Sequence, residues 1–127
     1  MPLPSQLEAD LAALRAEGLD IEVTEDGTRY YLVFRNFRLP DGRYAQASTD
    51  LMLMADYQYP QSAMDMFWTD PRVTCPDGRL PQKADVFETY AGRTWQRWSW
   101  HYSGWHPVRH SVSTHFDVVR NRLACGS

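Results

Sequence analysis

Leu7, Leu11 and Leu14 recur at spacings of four and three, an apolar stripe along one side of an otherwise polar segment. Ser5 and Glu8 stand in the S-x-x-E relation of a capping box, and Gly18 falls where a left-handed residue ends a helix. The pattern predicts a helix over 5–17. From there the period shortens. Residues 19–23 alternate apolar with acidic, an Asp-Gly turn follows, and 29–37 is β-branched and aromatic, which reads as a β-hairpin. The turn "LPDGR" at 39–43 reverses the chain again. "STDLMLMADYQYP" at 48–60 then makes a third strand stopped by Pro60, and 64–69 makes a short fourth.

Between Asp70 and Ala91 the periodicity fades. "DPRVTCPDGRLPQKAD" holds three prolines and a second Pro-Asp-Gly turn, which predicts an irregular surface loop. A loop of this length in a compact domain signals function. Order returns at "WQRWSWH", and Val112, Phe116, Val119 and Leu123, spaced four, three and four, mark a closing helix. The predicted fold is an α/β fold of the α+β kind: an N-terminal helix, an antiparallel four-stranded meander, a long loop and a C-terminal helix. It forms one domain over 1–127, with Phe34, Leu53, Phe67, Phe116 and Val119 in its core.

Composition narrows the function. The chain has 127 residues, a formal net charge of −3 and 43% hydrophobic content, which suits one soluble domain. No apolar run approaches the ~18–20 residues that span a bilayer, and "MPLPSQLEAD" lacks the features of a signal peptide. A cytoplasmic protein without a membrane partner is expected. The mild, evenly spread acidity gives no basic face for phosphates, so no nucleic-acid partner is expected either. Cys75 and Cys125 are far apart in sequence and read as free thiols.

The densest chemistry lies in "WQRWSWHYSGWHP", residues 95–107, which concentrates four tryptophans and two histidines. In an extended chain, side chains alternate, so Ser99 and His101 project from one face and Trp98 and Trp100 from the other. A serine hydroxyl is a weak nucleophile that needs an adjacent base, and His101 is in position to be one. The plainer reading is that the serine satisfies a backbone group and the histidine is structural. Two rivals stand beside this pair. Cys75, in the Pro-rich loop, is a stronger intrinsic nucleophile, with Arg72 favouring and Asp77 opposing its thiolate. The histidines at 101, 106, 110 and 115 raise a metal-dependent hydrolase, His106 and His110 having helical i, i+4 spacing but no H-E-x-x-H glutamate.

The local text resembles the ubiquitin-conjugating fold. Tyr59-Pro60 is followed by "MDMFWTDP", the long loop, "WSWH", and then Trp105-His106-Pro107 before the last helix. "MDMFW … GRTWQRWSWH … GWHP" is similar to the bacterial ubiquitin-conjugating-like family of type E, over roughly residues 20–124. The resemblance implies a minimal version of that fold. Its implied partners are a ubiquitin-activating-type enzyme, a ubiquitin-like protein and an associated metallopeptidase; no cofactor or metal is implied, and the setting is one of antiphage defence. "DPRVTCPDG" replaces the His-Pro-Asn of eukaryotic members, Trp100 replaces a basic residue, and no cysteine precedes Trp105-x-Pro where the nucleophile belongs. Ser99 stands there. The expected activity is conjugation through an oxyester on Ser99, with His101 as its base. Tyr90, Arg93, Trp100, Tyr102 and Trp105 are expected to line the modifier's tail. The alternatives are a thioester on Cys75 and an inactive docking module for the ubiquitin-like protein.

Overall fold

A computed structural model describes residues 3–100 and 104–125. The first helix, α1 (Ser5–Ala16), buries Leu7, Leu11 and Leu14, as the spacing predicts. Its capping box does not form. Pro4 takes the N-cap position at φ −51° without any side-chain cap. The Glu8 N–H donates to the Pro4 carbonyl at 3.0 Å. A proline's fixed φ already turns the chain into the helix, so Ser5 becomes its first residue. Gly18 ends the helix at φ +97°, the left-handed conformation that glycine adopts without strain.

Six strands follow: β1 (Ile21–Asp26), β2 (Arg29–Arg38), β3 (Ser48–Asp56), β4 (Phe67–Asp70), β5 (Val86–Tyr90) and β6 (Arg93–Trp98); α2 (Val112–Cys125) closes the chain. They form one antiparallel sheet in the order β1-β2-β3-β4-β6-β5. This corrects the four-stranded meander. The last few residues of the expected loop form β5, and "WQRW" lies in β6, which inserts beside β4 and leaves β5 outermost. Two boundaries also move. β3 stops at Asp56 because its carboxylate accepts the Gln58 N–H and the Ser62 hydroxyl, a side-chain turn that ends the strand. β4 begins only at Phe67 because Met66 sits at φ +59°.

Both helices lie on one face of the sheet. Leu7, Leu11, Phe116 and Val119 meet Leu32, Phe34, Leu53, Phe67 and Trp98 in a single core. Phe34 stacks on Phe116 with ring centroids 4.6 Å apart, and Phe67 on Trp98 at 5.1 Å. All five expected core residues are buried. The opposite face carries a second buried cluster of Tyr31, Val33, Met52, Trp68 and Trp95. Strand β2 therefore contributes alternate side chains to two cores.

The Tyr-Pro turn ties the helices together. The Tyr59 hydroxyl donates to Asp10 on α1 at 2.5 Å and accepts the Val112 N–H of α2 at 2.8 Å. Burial and the Asp10 hydrogen bond push its pKa well above the usual tyrosine value. Among the described residues, no helix is long and apolar enough to cross a membrane.

Candidate active site

The loop 71–85 leaves β4 and comes back to β5 alongside the end of β6. Its course is set by one buried side chain. The Gln96 amide oxygen accepts the Val73 N–H and the Thr69 hydroxyl, each at 2.7 Å. Its nitrogen donates to the carbonyls of Val73 at 2.9 Å and Ala84 at 3.0 Å. Val73 and Ala84 stand near the two ends of the loop, so Gln96 clasps both. Between them, Cys75 opens a tight turn, its N–H bonded to the Arg79 carbonyl at 2.8 Å. The returning chain then meets Ser99, whose backbone N–H donates to the Lys83 carbonyl at 2.8 Å. This contact puts the loop beside Ser99.

Strand alternation puts Gln96 and Trp98 on the helix side of the sheet, and Trp95, Arg97 and Ser99 on the other. Ser99 is half-buried. Its hydroxyl oxygen accepts a 2.9 Å hydrogen bond from Arg97 Nε. The same guanidinium uses Nη1 to bind Glu88 on β5 at 2.8 Å. Glu88 in turn accepts the Trp68 indole N–H at 3.0 Å and the Tyr90 hydroxyl at 2.9 Å. Burial alone would raise the Glu88 pKa. The hydrogen bonds from Trp68 and Tyr90 and the charge of Arg97 reverse that and hold it below the usual glutamate value. The result is a fixed chain: carboxylate, guanidinium, serine oxygen.

The other predicted residues scatter. Tyr90 is tied to the site by its hydrogen bond to Glu88. Arg93 starts β6, about 20 Å from Ser99 at the usual strand rise, and is clasped by Asp50 at 3.1 Å and Asp70 at 2.8 Å. Trp105 donates its indole N–H to the Pro60 carbonyl at 2.8 Å and supports the Tyr-Pro turn. Trp100 packs against the main core, with Lys83 Nζ 4.8 Å and Arg122 Cζ 3.9 Å from its ring. Among the described residues, its buried indole N–H has no partner. His101 and Tyr102 lie outside the described residues. Cys75 is half-buried and forms no disulfide among the described residues.

The three histidines among the described residues do not converge. His110 Nδ1 accepts the His106 N–H, while His115 is buried with Nε2 against the Met66 carbonyl at 2.9 Å. Among the described residues, no three metal-ligating side chains come together. A groove of about 530 Å³ opens between the α1–β1 connection, β2 and α2, lined by Leu19, Phe37, Phe116 and Arg120. It does not include Ser99.

Sequence reasoning missed Gln96, Glu88 and Arg97. The i, i+2 relation of Arg97 to Ser99 was available as a signal. Glu88 was not, because its strand went unrecognised.

Two helices on one face of an antiparallel sheet, with a long loop returning beside Ser99 and Trp-x-Pro preceding the last helix, are compatible with an E2-like fold, the class of ubiquitin-conjugating proteins. The sequence matches prokaryotic E2 family E over residues 6–125. The chain belongs to that family, and membership assigns it at the coarse level to ubiquitin-like conjugation, with an activating enzyme and a ubiquitin-like protein as its partners. Compared with curated proteins and with solved structures, the chain finds no match.

Proposed function

We propose that this protein is an E2-type acyl carrier that takes a ubiquitin-like protein onto Ser99 as an oxyester and passes it to a target amine. The observation that carries this reading is the Ser99 hydroxyl held at 2.9 Å by Arg97 beside the loop 71–85. In loading, Oγ attacks the thioester carbonyl of the activated modifier. The C–O bond forms, the C–S bond breaks, and His101 takes the hydroxyl proton as the thiolate departs. In discharge, the target amine attacks the ester. The C–N bond forms, the C–O bond breaks, and the proton that the amine loses is passed to Oγ.

A second reading rests on Cys75, a half-buried cysteine in the same loop. Incubation with activating enzyme, ubiquitin-like protein, ATP and Mg²⁺ separates the two. The Ser99 adduct should survive reducing gel conditions, vanish in mild alkali, be absent in Ser99→Ala and persist in Cys75→Ala. An adduct lost to thiol, or abolished by Cys75→Ala, overturns Ser99 in favour of the cysteine. No adduct at all leaves a docking module.

A further inference from the structure

We infer that Arg97 is a catalytic residue that stabilises negative charge on the Ser99 oxygen whenever the bond between that oxygen and the modifier forms or breaks. The inference rests on the Ser99 reading above and adds to it the problem that serine creates. A cysteine carrier leaves as a thiolate, whose conjugate acid has a pKa of about 8.5. A serine alkoxide is far more basic, so the same bond cleavage develops charge that water alone stabilises poorly. A carrier that uses oxygen needs a donor aimed at that oxygen before the reaction begins.

The geometry supplies one. Arg97 Nε donates directly to Ser99 Oγ at 2.9 Å, and Nη1 is held by Glu88 at 2.8 Å. A guanidinium does not lose its proton under these conditions, so the donor is always charged. It is also immobilised. The Glu88 carboxylate that grips it is itself fixed by Trp68 and Tyr90. Trp68 is buried and pairs in register with Arg97 across β4 and β6. The backbone of Ser99 is served separately by Lys83, so Arg97 is not required to satisfy it. Arg97 touches the reacting oxygen; Glu88 is a positioning residue that acts through it.

The test compares oxygen with sulfur at position 99. Loading and discharge rates are measured in single turnover for Arg97→Gln and Glu88→Gln, each in the native chain and in Ser99→Cys. In the native chain, Arg97→Gln should slow ester formation and its transfer to amine on the order of tenfold or more. Glu88→Gln should do the same to a smaller degree. In the Ser99→Cys background both changes should have little effect, because a thiolate needs no such help. That insensitivity also shows that the substituted proteins fold. Equal slowing in both backgrounds would mean that Arg97 only maintains structure, and would overturn the inference. So would unchanged rates in the Arg97→Gln chain while a Ser99 ester still forms. Absence of any Ser99 ester in the unsubstituted protein is a different failure, of the underlying reading itself.

Discussion

A glutamine amide offers two hydrogens and two acceptor lone pairs, and Gln96 uses all four on Thr69, Val73 and Ala84. Leucine has nearly the same volume and none of these groups. Gln96→Leu would leave the Val73 N–H and the Val73 and Ala84 carbonyls buried without partners, and each such group costs about 1–3 kcal/mol. The substitution should lower stability by about 3–5 kcal/mol, read as a lower urea midpoint. Trypsin should then cut faster after Arg72, Arg79 and Lys83, all within the released loop. A variant with native stability and native protease resistance would mean that the loop holds its course without the clasp. The same residue illustrates what a single chain conceals. Gln96 lies between tryptophan and arginine in an apparently surface-directed run, and only the fold reveals that it points inward.

At the scale of elements, the hairpin β5–β6 turns on Ala91 and Gly92, at φ +51° and +78°. Two consecutive positive φ values are what a type I′ turn requires, and alanine is a poor residue for the first of them. Ala91→Asn would install the favoured Asn-Gly pair and should raise stability by about 0.5–1 kcal/mol, a thermal midpoint a few degrees higher. An unchanged or lower midpoint would show that the turn is not limiting. The strained alanine also explains what was legible in the sequence. Both helices followed from leucine and valine spacing, and the first three strands from an Asp-Gly turn and runs of β-branched and aromatic residues. The last hairpin carried no such turn marker. Its outer strand is "VFETY" with half its side chains in solvent, so it merged with the Pro-rich segment before it. The placement of Ser99 opposite Trp98 was legible because strand alternation is local. The carboxylate behind Arg97 was not, because it arrives across a pairing that the turn conceals.

For the whole molecule, stability against pH depends in part on His115, Glu88 and Tyr59. Burial holds the His115 pKa below its usual value, against the opposing effects of the Met66 carbonyl and Asp65. Its contribution is present above about pH 6.5 and is lost as pH falls through the lowered folded value. Glu88 adds a second loss further down, below about pH 4.3, where the unfolded carboxylate takes up its proton first. Tyr59, raised by burial and Asp10, contributes below about pH 10 and loses that contribution as pH climbs toward the raised value. The urea midpoint should therefore decline from pH 7 to 5. His115→Gln should flatten that decline, and an equally steep slope in the variant would exclude His115 as its source. The double burial of β2 reaches beyond equilibrium stability. Every residue from Tyr30 to Phe34 is buried, whereas Val86 and Phe87 on β5 are 38% and 37% exposed. In hydrogen–deuterium exchange, the amides of β2 should exchange only when the entire molecule opens, and those of β5 through fraying of the outer strand, at least about a hundredfold faster. Comparable rates in the two strands would contradict this. The protein thus comes apart from the side that bears Glu88, so the grip on Arg97 loosens long before the two cores do.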